Sequence, residues 1–182
     1  MLKMSSFNES FHIGTARFTN KTLGENKKWR EKHNWKGCIY GLSKKTTPTI
    51  GRKALIYVVE MNNDTNTIEG IGLIRNYINM EYKTCIYSDI TYNRFIYNSV
   101  FRQDKKDFVY QTSIRLLETL LFYGSRHYKR GKGITLINWN TLHPGIIKVL
   151  KQFFNTLFKS PEPKSPQQTL FPLPYPQPSP CV

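Results

Sequence analysis

Residues 124–133, Gly-Ser-Arg-His-Tyr-Lys-Arg-Gly-Lys-Gly, set Arg126, Lys129, Arg130 and Lys132 beside His127 and Tyr128, with no acid and three glycines. Four permanent cations on a backbone loosened by glycine suit phosphate. The side chains can contact successive phosphates, and the backbone amides can approach as well. Tyr128 or His127 can stack on a base. Two further clusters carry the same sign: Lys27, Lys28, Arg30, Lys32 and Lys36, and then Lys44, Lys45, Arg52 and Lys53. Across 182 residues, 27 Lys and Arg stand against 12 Asp and Glu, a formal charge of +15. Such an excess costs self-repulsion in the compact state and points to a polyanionic partner, of which nucleic acid is the usual one. Ile, Asn, Lys and Tyr are all frequent, so an AT-rich coding sequence is the plainer source of part of this charge.

Other chemistry is sparse. Trp29, Trp35, Tyr40, Tyr87, Tyr92 and Trp139 offer flat faces for a base pocket, although large aromatics more often build cores. Trp35 and Tyr40 border glycines and basic loops. Glu60, Asp64, Glu69, Asp89 and Glu118 are the carboxylates available for acid–base or metal work. Asn62, Asp64 and Asn66 alternate like a calcium loop, but Thr67 stands where that loop needs Gly and Leu73 where it needs Glu. His12, His33, His127 and His143 form no ligand pair. Lys132 lacks the Gly-Lys-Ser/Thr ending of a phosphate-binding P-loop. We therefore expect no catalytic set, no metal and no cofactor.

The elements that must carry these residues follow from periodicity. Residues 54–61 are rich in β-branched and aromatic side chains and read as a strand buried on both faces. Residues 62–66 turn, and 68–74 return as an antiparallel partner. Gly70 and Gly72 share one face of that return strand and permit a bend or a close approach by another element. Shorter strands are expected at 38–40, 84–89, 94–97 and 134–138. Residues 108–123 switch to helical spacing, ended by Gly124, and a second helix begins near Pro144. Residues 1–28 are polar and read as a flexible basic arm, 29–160 as one globular domain. Eight of the ten prolines fall in 161–182, a tail expected to be disordered or polyproline II and able to recruit a domain that binds Pro-rich motifs. Cys38, Cys85 and Cys181 are odd in number and far apart, which favours a reducing intracellular compartment, cytoplasm or nucleus, over a disulfide framework. No stretch is long and apolar enough to span a bilayer, and no membrane partner is expected.

The hairpin Leu55-Ile-Tyr-Val-Val-Glu-Met61 with Ile68-Glu-Gly-Ile-Gly-Leu-Ile74 resembles the central hairpin of PUA-like domains, in particular the YTH and EVE branches. Gly37-Cys38-Ile39-Tyr40-Gly41 is similar to their first strand, where YTH domains carry a cage Trp. The resemblance covers residues 35–76. It implies a β-barrel and RNA binding, with Tyr40 in place of the cage Trp and Asn62 near the pocket Asn. The general texture is similar to that of uncharacterised proteins of large DNA viruses. Gly131-Lys132-Gly133 can also be compared with the pyrophosphate loop of GNAT-type acetyltransferases. Those carry Arg or Gln where this chain has Tyr128, and their loop follows a strand. The expectation is an α+β fold: a small bent antiparallel sheet or PUA-like barrel under two amphipathic helices. The expected function is non-enzymatic nucleic-acid binding, RNA ahead of DNA. Arg126, His127, Tyr128, Lys129, Arg130, Lys132, Lys44, Lys45, Arg52 and Lys53 would make the contacts, and Trp35, Tyr40 and Asn62 the base pocket. An acetyltransferase, or an adaptor recruited through the tail, is the alternative.

Overall fold

A computed structural model describes residues 11–46, 50–78 and 83–158. Residues 1–10 of the expected arm, Cys181 and the Pro-rich segment 161–182 lie outside the described residues. The chain runs β1 (His12–Phe18), α1 (Asn20–Lys32), β2 (Cys38–Leu42), β3 (Leu55–Asn62), β4 (Thr67–Arg75), β5 (Phe95–Ser99), β6 (Arg102–Asp104), α2 (Gln111–Phe122), β7 (Thr135–Leu136) and α3 (Pro144–Leu157). Five strands form one sheet in the order β6-β4-β3-β1-β7, and β2 and β5 form a separate antiparallel ribbon. The fold is α+β.

β3 organises both cores because its side chains alternate between two apolar faces. Ile56 and Val58 meet Ala16, Phe18, Tyr40, Tyr97 and Trp29 on the side of the ribbon and α1. Tyr57, Val59 and Met61 meet Leu117, Leu121, Leu150, Phe153 and Phe154 of α2 and α3 on the other. Each such side chain, fully buried, contributes about 1.5–3 kcal/mol of transfer free energy. β3 pairs antiparallel with β4, with a register shift between Glu60 and Met61. Gly70 and Gly72 do serve close approach. A Cβ on Gly70 would lie 2.6 Å from the Arg102 guanidinium and 2.7 Å from the Glu60 carboxylate, and one on Gly72 would collide with the Tyr40 hydroxyl.

Several expectations change. The sheet is mixed, because β1 runs parallel to β3 from His12↔Ile56 to Phe18↔Asn62. It stays open, with β6 and β7 at its edges, so the described strands close no barrel. Residues 12–28, read as part of a flexible basic arm, belong to a central strand and to a third helix that runs on to Lys32. Gly14, Thr15 and Arg17 dilute the apolar signal of β1, although its residues 13–16 are buried. α1 buries little beyond Asn26 and Trp29 and starts at a Thr19/Thr22 capping box, so its stripe is too thin for a periodicity reading. Residues 84–89 form a loop leading into a 3-10 turn at Ile90–Asn93. Its shape is held by the Asn93 carboxamide, whose Oδ1 accepts from the amides of Ile86 and Tyr87. β7 is only two residues long. Cys38 is a free, buried thiol and Cys85 is disulfide-bonded; separation along the chain does not reveal this pairing. Among the described residues no helix is long and apolar enough to cross a membrane.

Candidate nucleic-acid interface

β1 ends where α1 begins, and this junction forms one wall of a cleft of about 210 Å³. The second wall is the basic run, the floor is β2, and Tyr92 from the 3-10 turn stands at the rim. Arg17 ties the first two walls together. Its guanidinium donates to the Gly133 and Tyr128 carbonyls and to the Thr15 and Thr135 hydroxyls. The loop can receive it because Gly131 and Gly133 take φ values of +126° and +72°, backbone that L side chains rarely adopt.

The Asn-rich turn after β3 fixes the same loop from another side. Asn63 Nδ2 donates to the Lys129 carbonyl at 3.0 Å, and Lys129 Nζ donates to Asn66 Oδ1 at 2.8 Å. That turn also anchors the helix start: the Asn20 amide donates to Asp64 Oδ2 at 2.7 Å, and Asn62 Nδ2 to Asn20 Oδ1 at 2.9 Å. The nearby carboxylate of Asp64 is thus spent on the α1 N-terminus, where the helix dipole favours it.

The charges lining the cleft are Arg17, Lys129 and Lys132, with no carboxylate among the lining residues. Arg17 is half-buried, and its guanidinium bonds neutral oxygens. Burial pulls its pKa below the ordinary arginine value. A cation removed from water with no counter-charge favours an anion beside it.

The expected contacts divide. Lys129 and Lys132 line the cleft, with Lys44 close by, its carbonyl 3.4 Å from where a Gly133 Cβ would stand. Arg126 and Tyr128 face a different concavity, between α2, the basic run and α3. Tyr128 also packs on the α2/α3 core. His127 Nδ1 accepts from the Lys129 amide, and Arg130 is exposed. Lys45 lies over the Phe95 ring at 5.5 Å and Arg52 over Tyr77 at 5.7 Å. Arg52 and Lys53 precede β3, whose other end meets the cleft wall through Phe18↔Asn62. The run of β3 from Leu55 to Asn62 puts them roughly 23 Å away. Arg52 and Lys53 thus stand apart from the cleft, and Lys27, Arg30 and Lys36 line a different concavity.

The expected base pocket also divides. Tyr40 underlies the cleft, but it is buried and its hydroxyl donates to Glu60 Oε1 at 3.0 Å. Asn62 is buried in the turn, and its neighbour Asn63 lines the cleft instead. Trp35 lines a separate trench of about 610 Å³ between α1 and the β4–β6 edge. The aromatic ring left open at the cleft is Tyr92, 42% exposed, edge-on to Tyr87 at 6.2 Å. Arg17 and Thr19 are cleft residues that the sequence reading misses; the Thr-x-x-Thr spacing of the capping box is the one local sign of a helix start there.

The trench shows the opposite electrostatics. Arg102 donates to both Glu60 oxygens, at 3.0 and 2.8 Å, and to Asp104 at 3.0 Å. The Arg102 and Glu60 side chains are only 5% and 4% exposed. Burial lowers the Arg102 pKa, but the Glu60 charge and its hydrogen bonds outweigh burial and raise it. Fold and site together define an α+β protein whose cationic cleft, at one end of its central strands, has no ion-pair partner among the described residues. No protein-family model, curated protein or solved structure matches the chain.

Proposed function

We propose that this protein binds single-stranded nucleic acid without catalysing a reaction, RNA ahead of DNA. The observation that carries the reading is the cleft lined by three cations and no carboxylate, with Tyr92 at its rim. Lys129, Lys132 and the loop amides would hold phosphate, Arg17 would add its field from behind the loop, and Tyr92 would stack on a base. The preference for RNA rests on the resemblance of the hairpin to YTH and EVE domains.

The test is a salt series of binding to labelled single-stranded RNA, with matched DNA and duplex controls. Log affinity should fall linearly with log salt. Replacing both Lys129 and Lys132 by Ala should flatten the slope by about 0.7 for each phosphate that the variant no longer neutralises. Absence of binding at low salt would overturn the reading and make the charge compositional.

A further inference from the structure

The basic run has two sides, and the cleft occupies only one. On the other lies a groove of about 300 Å³ whose lining includes Tyr123, Arg126, Tyr128, Leu142 and Leu150. Tyr128 lines this groove and the next residue, Lys129, lines the cleft. Consecutive residues, their Cα atoms about 3.8 Å apart, therefore line the two concavities. The divider is well held. The Tyr128 amide donates to the Leu121 carbonyl at 2.8 Å, its carbonyl accepts from Arg17, and its hydroxyl accepts from the Asn138 amide.

The groove has an aromatic face to offer. Tyr123 ends α2 and is 59% exposed, whereas the Tyr40 ring is spent in the core. Arg126 is exposed at the same groove and has no ion-pair partner among the described residues. An apolar floor, an open phenol ring and a free guanidinium together suit a flat base followed by its phosphate.

We infer that the groove is a second nucleotide subsite, in which a strand leaving the cleft crosses the basic run and stacks a neighbouring base on Tyr123, with Arg126 at the intervening phosphate. This inference rests on the nucleic-acid reading above. It predicts that a mononucleotide is held by the cleft alone and that a longer strand engages both sides.

The test compares a labelled uridine octamer with labelled uridine monophosphate on the full chain, at one low salt concentration. Tyr123→Ala should weaken the octamer about 5- to 160-fold, the range expected for removal of one stacked base, and leave the mononucleotide unchanged. Tyr123→Phe, which keeps the ring, should retain octamer affinity, and Arg126→Ala should again weaken the octamer only. Thermal unfolding of each variant checks that the fold is intact, as expected for exposed positions. Unchanged octamer affinity in both Tyr123→Ala and Arg126→Ala overturns the subsite, as does an equal loss on the mononucleotide. If wild type binds neither ligand, the parent reading fails and the subsite with it.

Discussion

Arg17 and Arg102 are both arginines withdrawn from water, on opposite faces of the same sheet, and they do different work. Arg102 is closed into a network, with two bonds to Glu60, one to Asp104, and Tyr40 donating to the same Glu60. Its trench also holds Glu31, Glu69 and Asp107 against Lys27, Arg30, Lys36 and Lys106, so charge there is largely answered in place. Arg17 bonds neutral oxygens, and the cleft beside it holds Lys129 and Lys132 with no acid. Residue type is the same; the counter-charge makes the difference. The Arg102 charge is neutralised in place, whereas the Arg17 charge, bonded to neutral oxygens, is left without a counter-charge among the residues lining its cleft.

That contrast breaks most sharply at Arg102. Arg102→Ala leaves the Glu60 carboxylate buried without its partner, and should cost about 3–5 kcal/mol of unfolding free energy by denaturant titration. Stability equal to wild type would mean that the trench network holds nothing together.

A more gradual effect, with a slope on the order of 1.4 kcal/mol per pH unit for each group, is expected in alkali. Burial, and then the Glu60 charge, push the Cys38 thiol up to about 12. The same two causes raise the Tyr40 hydroxyl well above its ordinary value. The folded protein therefore keeps protons that the unfolded chain releases, at about pH 9 for a thiol and 10 for a phenol. Stability present below about pH 9 should decline as the pH rises toward about 12. Cys38→Ala should flatten the part of the decline that begins near pH 9, about where an unfolded thiol ionises. An identical slope with and without the thiol would contradict this account.

The smallest effect sharpens the contrast from outside. Arg52→Ala with Lys53→Ala removes two cations at the far end of β3, and should alter RNA affinity far less than the Lys129/Lys132 pair in the same salt series. Equal losses would mean that binding follows total charge rather than the cleft.

Much of this architecture is legible where the signal is local. The 54–61 run, its turn and the return strand read correctly because β-branched alternation and Asn/Asp turn chemistry act within a few residues. α2 and α3 read correctly from a stripe at helical spacing, and Gly124 follows α2 at φ +79°. β1 is not legible: its place in the sheet comes from pairing with β3, far along the chain, and with β7 beyond that. The base pocket drawn from Trp35, Tyr40 and Asn62 fails for a related reason. Each residue type is suitable, but Glu60 and Asn20 are the partners that claim Tyr40 and Asn62.

The excess of positive charge, the glycine-loosened basic run, the hairpin and the two amphipathic helices can all be read along the chain, because composition and short-range periodicity are properties of neighbours in sequence. Which cations are neutralised and which face a cleft emerges on folding. Pairing depends on through-space distance, and the deciding contacts join Arg17 to Gly133 and Glu60 to Arg102, residues far apart in sequence that meet only when the sheet is assembled.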